Sequence, residues 1–157
     1  SITGVLALAP DDPDAIRMLG VAAQRRGDHA TAADCFRQVL ATWPEDSDLR
    51  IGLGIALYEH GEIAQAMAHL RRACGLAPSS SSAWFNLGEA LWRQTHAEEA
   101  VAAQQRALEL DPAHIPARLS LARTQTSLGQ IDAARRAPTK QETVRYWQKV
   151  FGSSFQV

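Results

Sequence analysis

Within residues 81–114, SSAWFNLGEALWRQTHAEEAVAAQQRALELDPAH, the apolar positions fall on two helical stripes separated by a short polar turn. Trp84, Leu87 and Leu91 recur at helical spacing in the first half, and Val101, Leu108 and Leu110 do so in the second. Small residues stand where two helices would have to approach closely: Gly88 in the first, Ala100 and then Ala107 in the second. Pro112 drives its predecessor out of helical geometry and ends the second helix. The pattern predicts one helical hairpin with a single buried face.

The hairpin recurs. A step of 34 residues carries Pro112 back to Pro78, Pro44 and Pro10, Gly88 to Gly54 and Gly20, and Ala100 to Ala66 and Ala32. The same step forward reaches Leu121, Ala122 and Ala134. A fixed period with residue sizes in register is the signature of a solenoid, in which neighbouring units bury each other's apolar faces. The period and the W-x2-L-G…A…A-L…P pattern resemble the tetratricopeptide repeat (TPR) family over roughly residues 1–137. The fold class that follows is all-α: a solenoid of helix-turn-helix repeats with an added C-terminal amphipathic helix. The resemblance implies that the superhelix is right-handed.

The period divides the chain as follows. Residues 1–12 match the second helix of a truncated preceding repeat, with Val5, Leu6 and Leu8 in the register of Ala107, Leu108 and Leu110. From this we expect the chain to be a piece of a longer repeat protein. Full repeats are expected at 13–46, 47–80 and 81–114, an incomplete fourth at 115–137, and a C-terminal helix and tail at 138–157. Asp12 is the expected N-cap of the first repeat, with Pro13 at the first helical position. Its first helix should run to about Arg26 and its second to about Thr42, with Gly27-Asp28 as the turn. Ser47 is the expected cap of the next repeat and Gly61-Glu62 its turn. Ser79 to Ser82 form an inter-repeat loop and cap, and Thr95-His96 replaces the turn glycine in the third repeat. The fourth repeat starts normally at Ile115 and is expected to turn at Gly129-Gln130. Its second helix should then fail at Pro138, which falls where Gln104 and Leu70 stand earlier. Composition changes there too, since Lys140 and Lys149 both follow Pro138. Residues 141–151 carry their own stripe of Val144, Trp147, Val150 and Phe151.

Charge narrows the class. Sixteen basic and 17 acidic residues give a formal net charge of -1, which argues against a nucleic-acid partner. No apolar run approaches the roughly 18 residues of a membrane helix, so no membrane partner is expected. Cys35 and Cys74 read as buried thiols packing as small hydrophobes, with a disulfide as the alternative. The compartment stays open, with cytoplasm favoured over periplasm. Scarce lysine beside abundant arginine suggests a bacterial, GC-rich genome. The five histidines are scattered, and no His-Glu-x-x-His or Cys-x-x-Cys spacing occurs, so neither a metal, a cofactor nor a catalytic group is expected.

What remains is a surface. In the family resembled, first helices line a concave groove that holds an extended peptide or a helix. Carried over position by position, the groove-facing set is Arg17 and Val21 in the first repeat and Ile51, Ile55 and Tyr58 in the second. Phe85, Asn86, Glu89, Trp92 and Arg93 follow in the third, and Arg123 in the fourth. Tyr58, Phe85 and Trp92 lie opposite the Leu53-Leu57 and Leu87-Leu91 stripes and are expected to form an exposed aromatic cluster. The family's carboxylate clamp for a chaperone terminus needs lysine, asparagine and arginine. Here Val21 and Gly52 stand at the asparagine positions, and Ser82 and Asn86 replace the remaining lysine and arginine, so that clamp is not expected. An asparagine ladder would have one rung, Asn86. The function expected is a protein-protein interaction scaffold. The alternative is the substrate-recruiting arm of a larger bacterial transferase, a sulfotransferase or glycosyltransferase. The partner is a protein or peptide, or the chain's own helix 141–151, in cis as a cap on the stack or in trans. The expected state is a monomer or weak homodimer.

Overall fold

The first helices of all four repeats, and the second helix of the first repeat, begin where a side chain satisfies a free backbone N–H. The computed structural model describes residues 11–136 and 140–152, and among these it contains eight helices and no strand. They are α1 (Pro13–Arg25), α2 (His29–Leu40), α3 (Ser47–His60), α4 (Ile63–Leu76), α5 (Ser81–Arg93), α6 (Ala97–Leu110), α7 (Ile115–Arg136) and α8 (Lys140–Phe151). Asp12 caps α1 by accepting from the Asp14 N–H at 3.1 Å, and Asp28 caps α2 through Thr31 at 3.2 Å. The cap of α3 is Asp46, not Ser47: its carboxylate accepts from the Leu49 N–H at 3.0 Å. Ser47 is already helical, because the carboxylate one residue earlier has the extended backbone that a cap requires. Ser80 caps α5 and the His114 imidazole caps α7.

A second tether recurs with the period. The side chains of Arg50, Trp84 and Arg118 donate to the carbonyls of Pro44, Pro78 and Pro112, pinning α3, α5 and α7 to the loops before them. Different residue types do one job because each offers an N–H at the end of a long side chain.

The turns require left-handed backbone. Gly27 and Gly61 supply it at φ 79° and 94°, and Thr95 is forced to 65° at the third turn, where its Cβ is crowded. The chain divides into two compact units, 1–124 and 125–157. In the first unit, α1–α2, α3–α4 and α5–α6 pack as hairpins, and successive hairpins pack on one another. The inner seam holds Ala32, Ala66 and Ala100, all with no exposed surface, and Leu53, Leu57, Leu70 and Leu91 fill the space around it. A Cβ on Gly54 would stand 2.6 Å from Leu70 Cγ, so glycine there sets how closely the helices approach. Burial of one such leucine side chain stabilises by roughly 1.5–3 kcal/mol.

The fourth repeat departs from expectation. No turn forms at Gly129-Gln130; α7 continues through both residues for 22 residues. At the earlier turns the glycine is followed by Asp28 or Glu62, which start the next helix. After Gly129 come Gln130, Ile131, Asp132, Ala133 and Ala134 instead. A helical glycine costs only about 1 kcal/mol relative to alanine, too little by itself to stop propagation. In the second unit, Ile131 and Val150 are exposed and Val144 is half-buried. The expectations for residues 1–10, for the break at Pro138 and for the tail at 153–157 lie outside the described residues.

Candidate functional site

The first helices present the same positions to each inter-repeat junction, so the junctions can be compared residue by residue. At the first two, a side chain of the second helix forms the floor, Phe36 and then Leu70, and Gln104 holds the same register in the third. Above the floor stand Gln24, Tyr58 and Trp92 in turn, flanked by Val21, Ile55 and Glu89. The following repeat contributes Gly52, Asn86 and Ser120.

The first junction is an open cleft of about 250 Å³ lined by Arg17, Val21, Gln24, Phe36, Asp48 and Gly52. It is open because Gly52 has no side chain; a Cβ there would stand 3.1 Å from the Phe36 ring. The second junction keeps only about 160 Å³, walled by Ile55, Tyr58, Phe85, Asn86 and Glu89 above Leu70. The third has a polar floor. Gln104 is fully buried with neither amide atom hydrogen-bonded, packs its Cγ against Gly88, and belongs to the helix pair that faces α7, where Ser120 and Thr124 are buried.

The expected aromatic cluster is not exposed as such. The Arg93 guanidinium lies 4.9 Å from the Tyr58 ring centroid and donates to the Tyr58 carbonyl. Arg123 covers Trp92 at 4.2 Å and donates to Glu89 Oε1 at 2.7 Å. Phe85 packs on the His114 ring at 4.9 Å. All three aromatics are half-buried. The reason is geometric: adjacent first helices lie side by side, so an arginine of one reaches the ring of the one before, and such stacking is worth roughly 0.5–2 kcal/mol.

The remaining expected residues divide by exposure. Val21 is 37% exposed at the mouth of the first cleft, and Ile55 is half-buried in the second. Ile51 is not at the surface; it is 8% exposed and belongs to the core. Arg17 is held by Asp46 and lies over the Trp43 ring. Asn86 donates back to the Ser82 carbonyl at 2.8 Å. The expected list lacked Gln24, Trp43, Gln104 and His114. Gln104 alone had a sequence signal: it is polar in a column where the two preceding repeats carry Phe36 and Leu70.

Both cysteines are free and buried. Burial pushes the Cys35 thiol up and raises Cys74 to about 11, so neither is a ready nucleophile at neutral pH. Among the described residues, no group of three or more His, Cys, Asp or Glu is placed to hold a metal ion. No described helix is long and apolar enough to cross a membrane.

These features define a helical-repeat protein whose first helices form a shared, segmented surface. Tetratricopeptide repeat family models match residues 17–81, 81–114 and 115–137, and the chain belongs to that family. The fold is similar to that of the Sgt2 TPR domain from Aspergillus fumigatus, at TM-score 0.76 and 21% identity over 82% of this chain and 86% of that one. MamA is similar at TM-score 0.75 and 20% identity, over 96% of this chain and 82% of that one. The first TPR of Spaghetti (RPAP3), solved bound to an HSP90 peptide, is similar at TM-score 0.72 and 23% identity, over 74% and 93%. Among curated proteins, cyclic AMP-AMP-AMP synthase of Escherichia coli (strain MS 115-1) is 85% identical over 26 residues. That stretch is 17% of this chain and 8% of the synthase, so the match spans a small fraction of that protein's length.

Proposed function

We propose that this chain is a protein-interaction scaffold whose ligand, an extended peptide or amphipathic helix, lies along the first-helix face. The ligand is anchored by one apolar side chain in the first junction. The observation that carries this reading is the open cleft over Phe36, where Gly52 and Gln24 leave a space that Asn86 and Tyr58 narrow one repeat later. Apolar side chains buried in a preformed cleft are the usual anchors of peptide recognition. The peptide-bound TPR of Spaghetti supports the general mode. A carboxylate clamp is not part of the reading, because Arg17 is already engaged by Asp46 and Trp43.

Selection of a displayed peptide library on the full chain tests this. Enriched peptides should share one large apolar residue, and Gln24→Tyr, which installs the second junction's side chain, should weaken them about tenfold or more. Equal binding to Gln24→Tyr would place the anchor elsewhere. Removing residues 138–157 separates an external ligand from the chain's own helix 141–151: improved peptide binding identifies that helix as a competing occupant.

A further inference from the structure

The third junction carries a constellation that the apolar anchor does not use. The Trp92 ring and the Glu89 carboxylate together form a place for a guanidinium, with one aromatic face for the cation and one anionic oxygen for its N–H groups. In this structure the chain fills that place itself. Arg123 stacks on Trp92 at 4.2 Å and donates to Glu89 at 2.7 Å. Glu89 keeps only 19% of its side-chain surface exposed beneath Arg123, which is itself 44% exposed.

The helix that brings Arg123 packs in the first unit through Ala117, Ser120 and Thr124, all buried. In the register that Phe36 and Leu70 fill with apolar floors stands Gln104, whose buried amide has no partner on either atom. An unsatisfied buried amide opposes docking of the helix that seals it. Ile115 and Leu119 of α7 are exposed and add no packing on their side.

We propose that Glu89 and Trp92 form an arginine-binding subsite of the groove, and that Arg123 occupies it as an internal competitor. The partner is a segment bearing an arginine, which displaces Arg123 as α7 shifts off Gln104. This builds on the groove reading for the path of the ligand, but the subsite is testable without an apolar anchor. Competition by a tethered group lowers the apparent affinity by the fraction of time the site is free.

The probe is N-acetyl-arginine-methylamide, with its uncharged citrulline counterpart as control. Both are titrated against the full chain while the Trp92 indole N–H is followed by NMR and assigned with Trp92→Phe. Arg123→Gln should bind the arginine probe about fivefold more tightly than the parent, and the citrulline probe should not bind. Adding Glu89→Gln to Arg123→Gln should remove the gain. Gln104→Leu, which seats α7 on an apolar floor, should weaken arginine binding below the parent while leaving the fold intact. This variant keeps the proposal testable if Arg123→Gln melts early. Equal arginine affinity in parent and Arg123→Gln, an equal response to citrulline, or stronger binding in Gln104→Leu overturns the proposal. Failure of Gln24→Tyr to affect peptides would leave these outcomes unchanged, so the two readings fail separately.

Discussion

The first and third junctions share one backbone plan but not one chemistry. At the first, the ring of Phe36 floors a cleft left open by Gly52. At the third, the floor is an unpartnered buried amide, and the wall is an aromatic ring under an arginine. The repeat period fixes where helices sit, while three or four side chains per junction decide whether the space is apolar and open or polar and closed. A solenoid can therefore present different subsites along one face without altering its architecture.

The largest expected effect follows from removing the first floor. Phe36→Ala should lower stability by about 3–5 kcal/mol, because a buried ring is lost and its cavity remains. Denaturant unfolding that moves by less than about 1 kcal/mol would show that the ring is not the floor. Overpacking the third hairpin comes next. Gly88→Leu places new atoms where Gln104 Cγ would already be 2.8 Å from a Cβ, and about 1–3 kcal/mol should be lost. An unchanged melting temperature would mean the helices do not meet there.

The opposite sign is expected at the third floor. Gln104→Leu, the residue of the preceding repeat, should stabilise by about 1 kcal/mol or more by removing an unsatisfied buried amide; destabilisation would indicate that the amide has a partner. Thr95→Gly should add up to about 1 kcal/mol by relieving a left-handed β-branched residue, read as a rise in melting temperature. The smallest effect concerns Cys74, whose thiol is raised from 9.0 to about 11 by burial. Its neutral form is favoured in the fold, so this contribution is intact below pH 9 and is lost as pH rises towards 11. The melting temperature of the parent should fall more steeply over that range than that of Cys74→Ala.

The cation–aromatic pairs are the clearest case of information absent from a local reading. Tyr58 and Trp92 stand on first helices, and their exposure depends on arginines in the next repeat. Nothing in the spacing around Tyr58 announces Arg93. Ile51 is the complementary case: it stands on the same helix as Ile55 and Tyr58 but is buried in the core.

The sequence alone determined the helical repeat, the cap at Asp12 and the close approach at Gly54, because periodicity, capping and small-residue spacing are local and repeat in phase. Tertiary structure decided the rest. The turn at Gly129 does not form, because the cost of a helical glycine is small and a turn there needs a packed second helix to hold it. The open cleft over Phe36 and the buried, unpaired amide of Gln104 exist only once neighbouring repeats are stacked, since a cavity or an unsatisfied group belongs to the space between elements and not to any one of them.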